Sequence, residues 1–416
     1  MIPKRWLILA DDLTGAADCG IAFTRYGLPA AVTWHAERSK DPVLAIDADS
    51  RAHGPVAAAA KHRRLIEARH EPGIGLFKKI DSTLRGQPAA ELAETIRALR
   101  ERGETALAIV APAFPETGRT LRRGAIHVHG EPLEATPVWA REHSYDTADM
   151  VAVLRGVGLR VSHAGLDTLR EGPEAMGSRV RTALSDGTEV IVCDADVVSD
   201  LDIVARATLS LSEHLFWTGS AGLAQALARN LNLTARAPER PAVTGGTLFV
   251  VGSIAEASRA AAALLAAKAA IRRVVVGADA LAAGPDHETW RGAQAAVTRT
   301  LASSEDVLVE IDPGAHPDLT QGAALAQRLA ELLRPAAPAI GALFVTGGET
   351  AIALLKALGA TGIRLIEEVE PGVPFGVTRG ARVMPVITKA GAFGGAETLL
   401  RCHQYFRRLR PTENSA

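Results

Sequence analysis

The 416-residue chain has few cysteines, no excess of either charge and no long apolar run. Its three cysteines, Cys19, Cys193 and Cys402, are far apart and form no CxxC pair, which argues against a disulfide framework or a cysteine zinc site. A reducing compartment, the cytoplasm, is therefore expected. Lysine plus arginine number 46 against 47 aspartate plus glutamate, a formal net charge of −1, so the attraction behind non-specific nucleic-acid binding is missing. No run reaches the roughly eighteen uninterrupted apolar residues of a membrane-spanning helix. The opening Met1-Ile2-Pro3-Lys4-Arg5 leads into a strand rather than a signal-peptide core, so no membrane role is expected. Two phosphate fingerprints are also missing, GxxxxGK followed by Ser or Thr and GxGxxG, which leaves a P-loop or a Rossmann dinucleotide fold without motif support. No internal repeat or low-complexity tract is evident.

What is present is an alternation of short β-rich apolar runs with helix-period stretches, the pattern of α/β layers. The length exceeds one typical core, so two domains are expected. Strands are predicted at Trp6 to Ala10, Val43 to Ile46, Ile74 to Lys79, Ala106 to Ala111, Val190 to Cys193 and Leu215 to Trp217. Gly118 to Trp139 departs from this pattern, and its alternation Ala125-Ile126-His127-Val128-His129 suggests a hairpin or ribbon able to cover a pocket. The prolines of Leu233 to Pro241 suggest a linker. A second series follows, with strands at Thr247 to Val251, Val274 to Val276, Val307 to Ile311, Leu343 to Val345 and Val383 to Ile387. The expectation is an α/β protein of two domains, 1–235 and 242–416, each a largely parallel sheet flanked by helices, with a cleft between them.

Chemistry-bearing residues gather at the ends of these strands. Asp11 and Asp12 follow Trp6-Leu7-Ile8-Leu9-Ala10, where open α/β sheets bind ligands. They are candidates for metal or general-base chemistry, although Asp12 or Thr14 could simply cap the next helix. Lys78-Lys79-Ile80-Asp81-Ser82-Thr83-Leu84-Arg85-Gly86 offers two ammonium groups, a carboxylate, two hydroxyls and a guanidinium on one turn. A guanidinium suits a carboxylate, hydroxyls orient an alcohol, and lysines balance phosphate charge; a solvated, capped turn is the plainer reading. In the second half, Thr346-Gly347-Gly348-Glu349-Thr350 precedes a helix and Thr388-Lys389-Ala390-Gly391-Ala392-Phe393-Gly394 follows a strand. Such turns bring backbone amides to a helix amino terminus, where phosphate charge is stabilised.

Taken in order, Ala10-Asp11-Asp12-Leu13-Thr14-Gly15-Ala16, Lys78 to Gly86, Pro112-Ala113-Phe114-Pro115 with Gly118-Arg119-Thr120, Thr346 to Ala351, Glu368 to Pro374 and Thr388 to Gly394 resemble the four-carbon acid sugar kinase family. The resemblance implies ATP-dependent phosphorylation of the terminal hydroxyl of D-threonate or D-erythronate, with 3-oxo-tetronate as an alternative. The amino-terminal domain would hold the acid sugar and the carboxy-terminal domain the nucleotide. On that reading Asp12 is the first choice of base and Asp81 the second, while Lys79 lies near the transferring phosphate. Arg85, helped by Arg51, grips the substrate carboxylate, Ser82 and Ser50 contact its hydroxyls, and Asp11 contributes a carboxylate to substrate or to Mg²⁺. Ser253, Gly347, Gly348, Glu349, Thr350, Lys389, Gly391 and Gly394 would contact ATP. Glu349 stands where Asp is expected in the family, and Ala392 where another small or polar residue is common.

Other readings stay open. His127 and His129 form an alternate pair that a metal would need further ligands to use. Asp11 to Thr14 also resembles the start of a haloacid-dehalogenase-type phosphatase, but its two carboxylates are adjacent and point in different directions. A non-catalytic acid-sugar sensor would close two domains on its ligand. The expected partners are a sugar acid and ATP; a homo-oligomer is neither required nor excluded.

Overall fold

The computed structural model describes residues 2–35, 39–141, 143–234, 238–252, 255–312, 314, 322–391 and 394–411. The chain divides into two compact units, Met1–Arg236 and Ala237–Ala416. Of the expected linker, Ala235, Arg236 and Ala237 lie outside the described residues.

Unit 1 carries β1 (Trp6–Ala10), β2 (Ala30–Thr33), β3 (Val43–Asp47), β4 (Gly75–Lys79), β5 (Leu107–Ala111), β6 (Arg119–Arg122), β7 (Ala125–Val128), β8 (Glu131–Pro132), β9 (Val161–Ala164), β10 (Val190–Cys193) and β11 (Leu215–Gly219). Within this unit the parallel order is β2-β3-β1-β4-β11-β5-β10-β9. Every residue of β1 and β5 is buried, as expected of strands covered on both faces. Trp6 on β1 packs 4.8 Å from Phe23 and 5.1 Å from Trp217, centroid to centroid. Its neighbour on β4 is Gly75, where a Cβ would come within 2.6 Å of the indole, so the ring's bulk dictates a glycine beside it.

Three helices frame the loops that matter most. Helix α1 (Leu13–Arg25) starts directly behind β1, its first turn capped by Asp12, which accepts from Gly15 N at 2.9 Å. Helices α2 (Pro55–Arg69) and α3 (Pro88–Glu101) both open on proline, whose missing N–H costs nothing in a first turn, and they pack on each other. The segment after Gly118 is a three-stranded antiparallel ribbon, β6-β7-β8. Arg123 and Gly124, both at positive φ, close its first hairpin, and Asp194 accepts both of their amides, at 2.7 and 2.9 Å.

Unit 2 carries β12 (Gly246–Val251), β13 (Arg272–Gly277), β14 (Val307–Asp312), β15 (Ile340–Thr346), β16 (Ala360–Glu370), β17 (Val373–Gly380) and β18 (Pro385–Lys389). Their order is β13-β14-β12-β15-β18-β17-β16, parallel as far as β18 and antiparallel beyond it. Phe249, Phe344, Phe375 and Phe406 form the aromatic centre of its core. Both units are thus mixed α/β with mostly parallel strands. The long hairpin β16–β17, which the apolar pattern of the sequence does not predict, and the short strands β2 and β9 complete the sheets.

Candidate active site

The carboxyl ends of β3, β1 and β4 lie side by side, and the loops that leave them bring three aspartates around one arginine. Arg51, from the loop after β3, donates through Nε and Nη2 to Asp11 at 2.7 and 3.0 Å, and through Nη1 to Asp12 at 2.5 Å. Asp81, after β4, is 3.7 Å from Arg51 Nη2 and accepts from Arg85 Nη2 at 2.8 Å. A fork that meets one carboxylate with two donors fixes its plane as well as its position. The loops are built for this placement. Thr83 donates its amide to Asp81 Oδ1 at 2.9 Å, and the hydroxyl of Thr83 joins it. Leu84 (φ +59) and Asp49 (φ +49) both occupy the left-handed region, an uncommon state for residues with a Cβ and one found where a loop is held for a purpose.

Lys79, at the end of β4, approaches the same place from beneath α1. A Cβ on Gly15 would lie 2.7 Å from Asp12 Oδ1 and 2.8 Å from Lys79 Nζ, so only glycine lets the helix start between them. Burial disfavours the charged form of each of these groups, but their neighbours overcome it. Arg51 and Lys79 hold Asp12 below the usual carboxylate range, and Arg85 and Arg51 hold Asp81 well below it. Burial likewise opposes the Lys79 ammonium, yet Asp11 and Asp12 raise its pKa. Asp12, Asp81 and Lys79 thus hold one another and the neighbouring arginines in their charged forms.

In unit 2 the adjacent strands β12, β15 and β18 end in glycine-bearing turns. Gly347 (φ +96) donates its amide to Lys389 O at 3.0 Å, tying two of the turns together. The helix Gly348–Ala357 starts at once behind it, and Gly347 has no side chain with which to cap the first-turn amides. A Cβ on Gly252 would run into the Thr350 side chain, which brings the third turn against the start of this helix. Lys389 Nζ donates to Ala390 O at 2.8 Å and Gly391 O at 3.3 Å, and Ser258 donates to Gly391 O at 2.8 Å. Burial depresses the Lys389 ammonium to about 8. The arrangement can take an anionic phosphate tail on backbone amides with a lysine at its flank.

Two family models match the chain, a sugar-binding N-terminal domain over residues 6–227 and a nucleotide-binding C-terminal domain over residues 248–399. The chain is 41% identical to a D-threonate kinase of Cupriavidus necator, over 96% of this chain and 97% of that protein. It is 35% identical to a D-threonate kinase of Bordetella bronchiseptica, over 98% of each. The chain belongs to the four-carbon acid sugar kinase family. Other members at lower identity are a D-erythronate kinase of Heliobacterium modesticaldum (28%, 96% of each chain) and a 3-oxo-tetronate kinase of Methylobacterium radiotolerans (30%, 94% of this chain and 96% of that one). A solved structure from Salmonella typhimurium shares the fold, with a TM-score of 0.80 at 21% identity, covering 97% of this chain and 99% of that one.

Within this acid sugar kinase, Asp11, Asp12, Lys79, Asp81 and Arg85 converge, and three of the candidates, Arg51, Asp11 and Ser50, are engaged by the protein's own side chains. Arg51 is engaged by the protein's own Asp11 and Asp12. Both oxygens of Asp11 accept from Arg51, and its side chain is buried. Among the described residues no group of three or more His, Cys, Asp or Glu side chains is placed to hold a metal. Ser50 is buried behind its loop with its hydroxyl donated to Glu91. Ser82 is half-buried on the loop. Gly347, Gly348, Glu349 and Thr350 follow β15, Lys389 and Gly391 stand at the end of β18, and Gly394 lies against Thr398 and Glu370, whereas Ser253, Ala392 and Phe393 lie outside the described residues.

Two residues near the site are given no role by the sequence motifs, although Arg119 stands within one of them. Arg119, on the ribbon, is half-buried and within electrostatic reach of Asp81 and Arg85; burial lowers its pKa and Asp81 offsets part of that. Asp47 ends β3 beside Ala10, accepts from Asp49 N at 2.7 Å, and is pushed by burial up to about 8. What could have found Asp47 is the pattern that marks Asp11, an aspartate closing an apolar strand. His127 Nδ1 lies 3.1 Å from Ala125 O on its own ribbon, and His129 packs over Gly118.

Proposed function

We propose that this chain is an ATP-dependent kinase that transfers the γ-phosphoryl group to the terminal hydroxyl of a four-carbon sugar acid, D-threonate, giving the 4-phosphate. The observation that carries the substrate is the 41% identity to a D-threonate kinase along nearly the whole chain, against 30% to a 3-oxo-tetronate kinase. The carboxyl-edge lattice of unit 1 supplies the chemistry. Asp12 is the better base. Both aspartates accept bonds on both oxygens, but among the described residues Asp12 Oδ1 accepts from the neutral Gly15 amide alone, whereas Asp81 Oδ2 is held by the Arg85 guanidinium and its Oδ1 by Thr83. A carboxylate kept ionised beside the acceptor hydroxyl orients it and takes its proton as the new P–O bond forms. Arg85, with Arg119 nearby, pairs with the carboxylate of the acid, and Ser82 reaches a hydroxyl. Lys79 balances the negative charge that gathers on the transferring group.

The turns at Gly347, Lys389 and Gly391 hold the phosphate tail. Mg²⁺ enters as part of the nucleotide substrate, held mainly by phosphate oxygens and water, which is how this ion commonly binds. The buried free thiols of Cys19, Cys193 and Cys402 suit a reducing compartment such as the cytoplasm. The test is ADP release by the purified protein with MgATP over D-threonate, L-threonate, D-erythronate, L-erythronate and 3-oxo-tetronates. The highest kcat/KM is expected with D-threonate. No ADP release with any four-carbon sugar acid overturns the proposal, and a 3-oxo-tetronate preferred over D-threonate replaces its substrate.

A further inference from the structure

Behind the loop that carries Arg51 lies a second charged cluster that the chemistry above does not use. Lys78 and Lys79 are consecutive on β4 and so point to opposite faces of the sheet. Lys79 goes to the aspartates; Lys78 goes to Glu91 on α3, with Nζ 2.6 Å from Oε2, and also donates to Lys79 O at 2.9 Å. Ser50 donates its hydroxyl to the other oxygen of Glu91 at 2.6 Å. His62 on α2 completes the group, its Nε2 3.3 Å from Ser50 Oγ and 3.4 Å from Glu91 Oε2. Relative exposures of Ser50, His62, Lys78 and Glu91 are 0%, 0%, 0% and 1%. Burial opposes the charge on Glu91, but Lys78 and His62 keep it ionised.

A buried ion pair is weak grounds for stability, because apolar residues of similar volume commonly serve as well. What this pair does that apolar residues could not is accept a hydrogen bond from the loop. Ser50 is held from two sides, by its hydroxyl on Glu91 and by its amide on Asp11 O at 3.0 Å, while the Arg51 amide donates to the same carbonyl at 3.2 Å. The preceding residue, Asp49, sits at positive φ, a conformation that the neighbouring contacts must hold in place.

We propose that Glu91, paired with Lys78, is a positioning residue of the candidate active site: through Ser50 it fixes the turn Asp49 to Arg51, and thereby the Arg51 guanidinium, against Asp11 and Asp12. The catalytic part of this inference rests on the kinase reading; the structural part does not. Ser50 acts on the chemistry through Arg51 and makes no contact with the sugar acid.

Ser50→Ala removes the tether and leaves the buried ion pair intact. A small misplacement of Asp12 can cost about 100-fold, so kcat on D-threonate is expected to fall by that order. The kcat/KM ratio between D-threonate and D-erythronate should stay that of the wild type, and Ser50→Thr, which keeps the hydroxyl, should restore most of the rate. Amide hydrogen exchange at residues 50 and 51 reads the same tether without any activity. Its protection should fall about tenfold in Ser50→Ala and be kept in Ser50→Thr. Two doubly substituted chains, both without the Lys78 and Glu91 charges, isolate Glu91: Lys78→Met with Glu91→Gln should keep the protection, and Lys78→Met with Glu91→Ala should lose it. Unchanged protection in Ser50→Ala overturns the inference, as does a wild-type kcat or a shifted epimer ratio. A wild-type protein that phosphorylates no sugar acid sinks the kinase reading, and exchange then still decides whether the tether exists.

Discussion

Replacing Asp12 with asparagine separates the chemistry assigned to this residue from its structural work. In the wild type, Asp12 Oδ1 caps α1 through Gly15 N at 2.9 Å, and Oδ2 accepts from Thr14 Oγ1 at 2.7 Å and from Arg51 Nη1 at 2.5 Å. Asparagine caps a helix about as well as aspartate, so its oxygen keeps the bond to Gly15. The amide nitrogen must then stand where Oδ2 stood, facing Arg51. The hydrogen bond from Arg51 is lost, about 1.5–3 kcal/mol of folding stability, while the Thr14 hydroxyl can turn to accept from the new amide and the fork between Arg51 and Asp11 persists. The protein should therefore stay folded at 25 °C, which a urea titration checks. Its turnover should not survive so well. Loss of a general base costs about 10²–10⁴-fold, or about 3–5 kcal/mol of barrier. The assay is ADP release at saturating D-threonate and MgATP, with nucleotide affinity measured separately by calorimetry. ATP affinity should be that of the wild type. A kcat within about threefold of wild type, less than 1 kcal/mol of barrier, refutes the assignment of Asp12 as base.

Three further outcomes follow from the same geometry. Gly252→Ala pushes a methyl group into Thr350, so the KM for ATP should rise while that for D-threonate holds; equal change in both refutes a nucleotide role for this turn. Arg51→Met removes the partner of Asp11 and Asp12, and breaking such a buried pair costs about 3–5 kcal/mol at neutral pH. Asp12 and Asp81 titrate in the folded protein below their ordinary 3.8, so their contribution to stability is present above that value and lost as pH falls through the folded pKa values. The deficit of Arg51→Met should accordingly shrink as urea titrations move from pH 7 to below 3.8; a constant deficit contradicts the electrostatic account. Lys389, depressed by burial to about 8 from 10.5, loses its charge as pH rises through that value, and the KM for ATP should climb with it. The sign for folding is the reverse, since between these two values the unfolded chain binds more protons and stability rises with pH. Lys389→Arg should flatten the climb in KM, and a climb that persists locates it elsewhere.

How much of this site the sequence discloses depends on which partner a residue meets. The strand ends were legible because an apolar run that stops abruptly at aspartate or glycine marks the point where a buried strand leaves the sheet, and Asp11, Asp81 and Gly347 stand where that logic puts them. The hairpin β16–β17 was not, because its outer half, Glu367-Glu368-Val369-Glu370, carries charge where a buried strand would carry apolar residues. Those glutamates are engaged locally: Glu367 pairs with Arg240, Glu370 with Arg401, and Glu368 accepts from Gly372 N at the turn. Arginine presents the same difficulty at the active site. A guanidinium in a loop beside a predicted anion site reads as a ligand clamp, and nothing in Asp49-Ser50-Arg51 says that its carboxylates are Asp11 and Asp12. The adjacent lysines show where a local rule still helps. Period two separates Lys78 from Lys79 onto opposite faces before any fold is known, so at most one of them belongs with Asp11 and Asp12. Which one is decided by whether the covering helix brings a carboxylate to the other. Glu91, four residues into the segment that opens at Pro88, is that carboxylate. A buried ammonium needs a buried counter-charge nearby, so a lysine pair on an apolar strand is itself a reason to search the next helix for its acid.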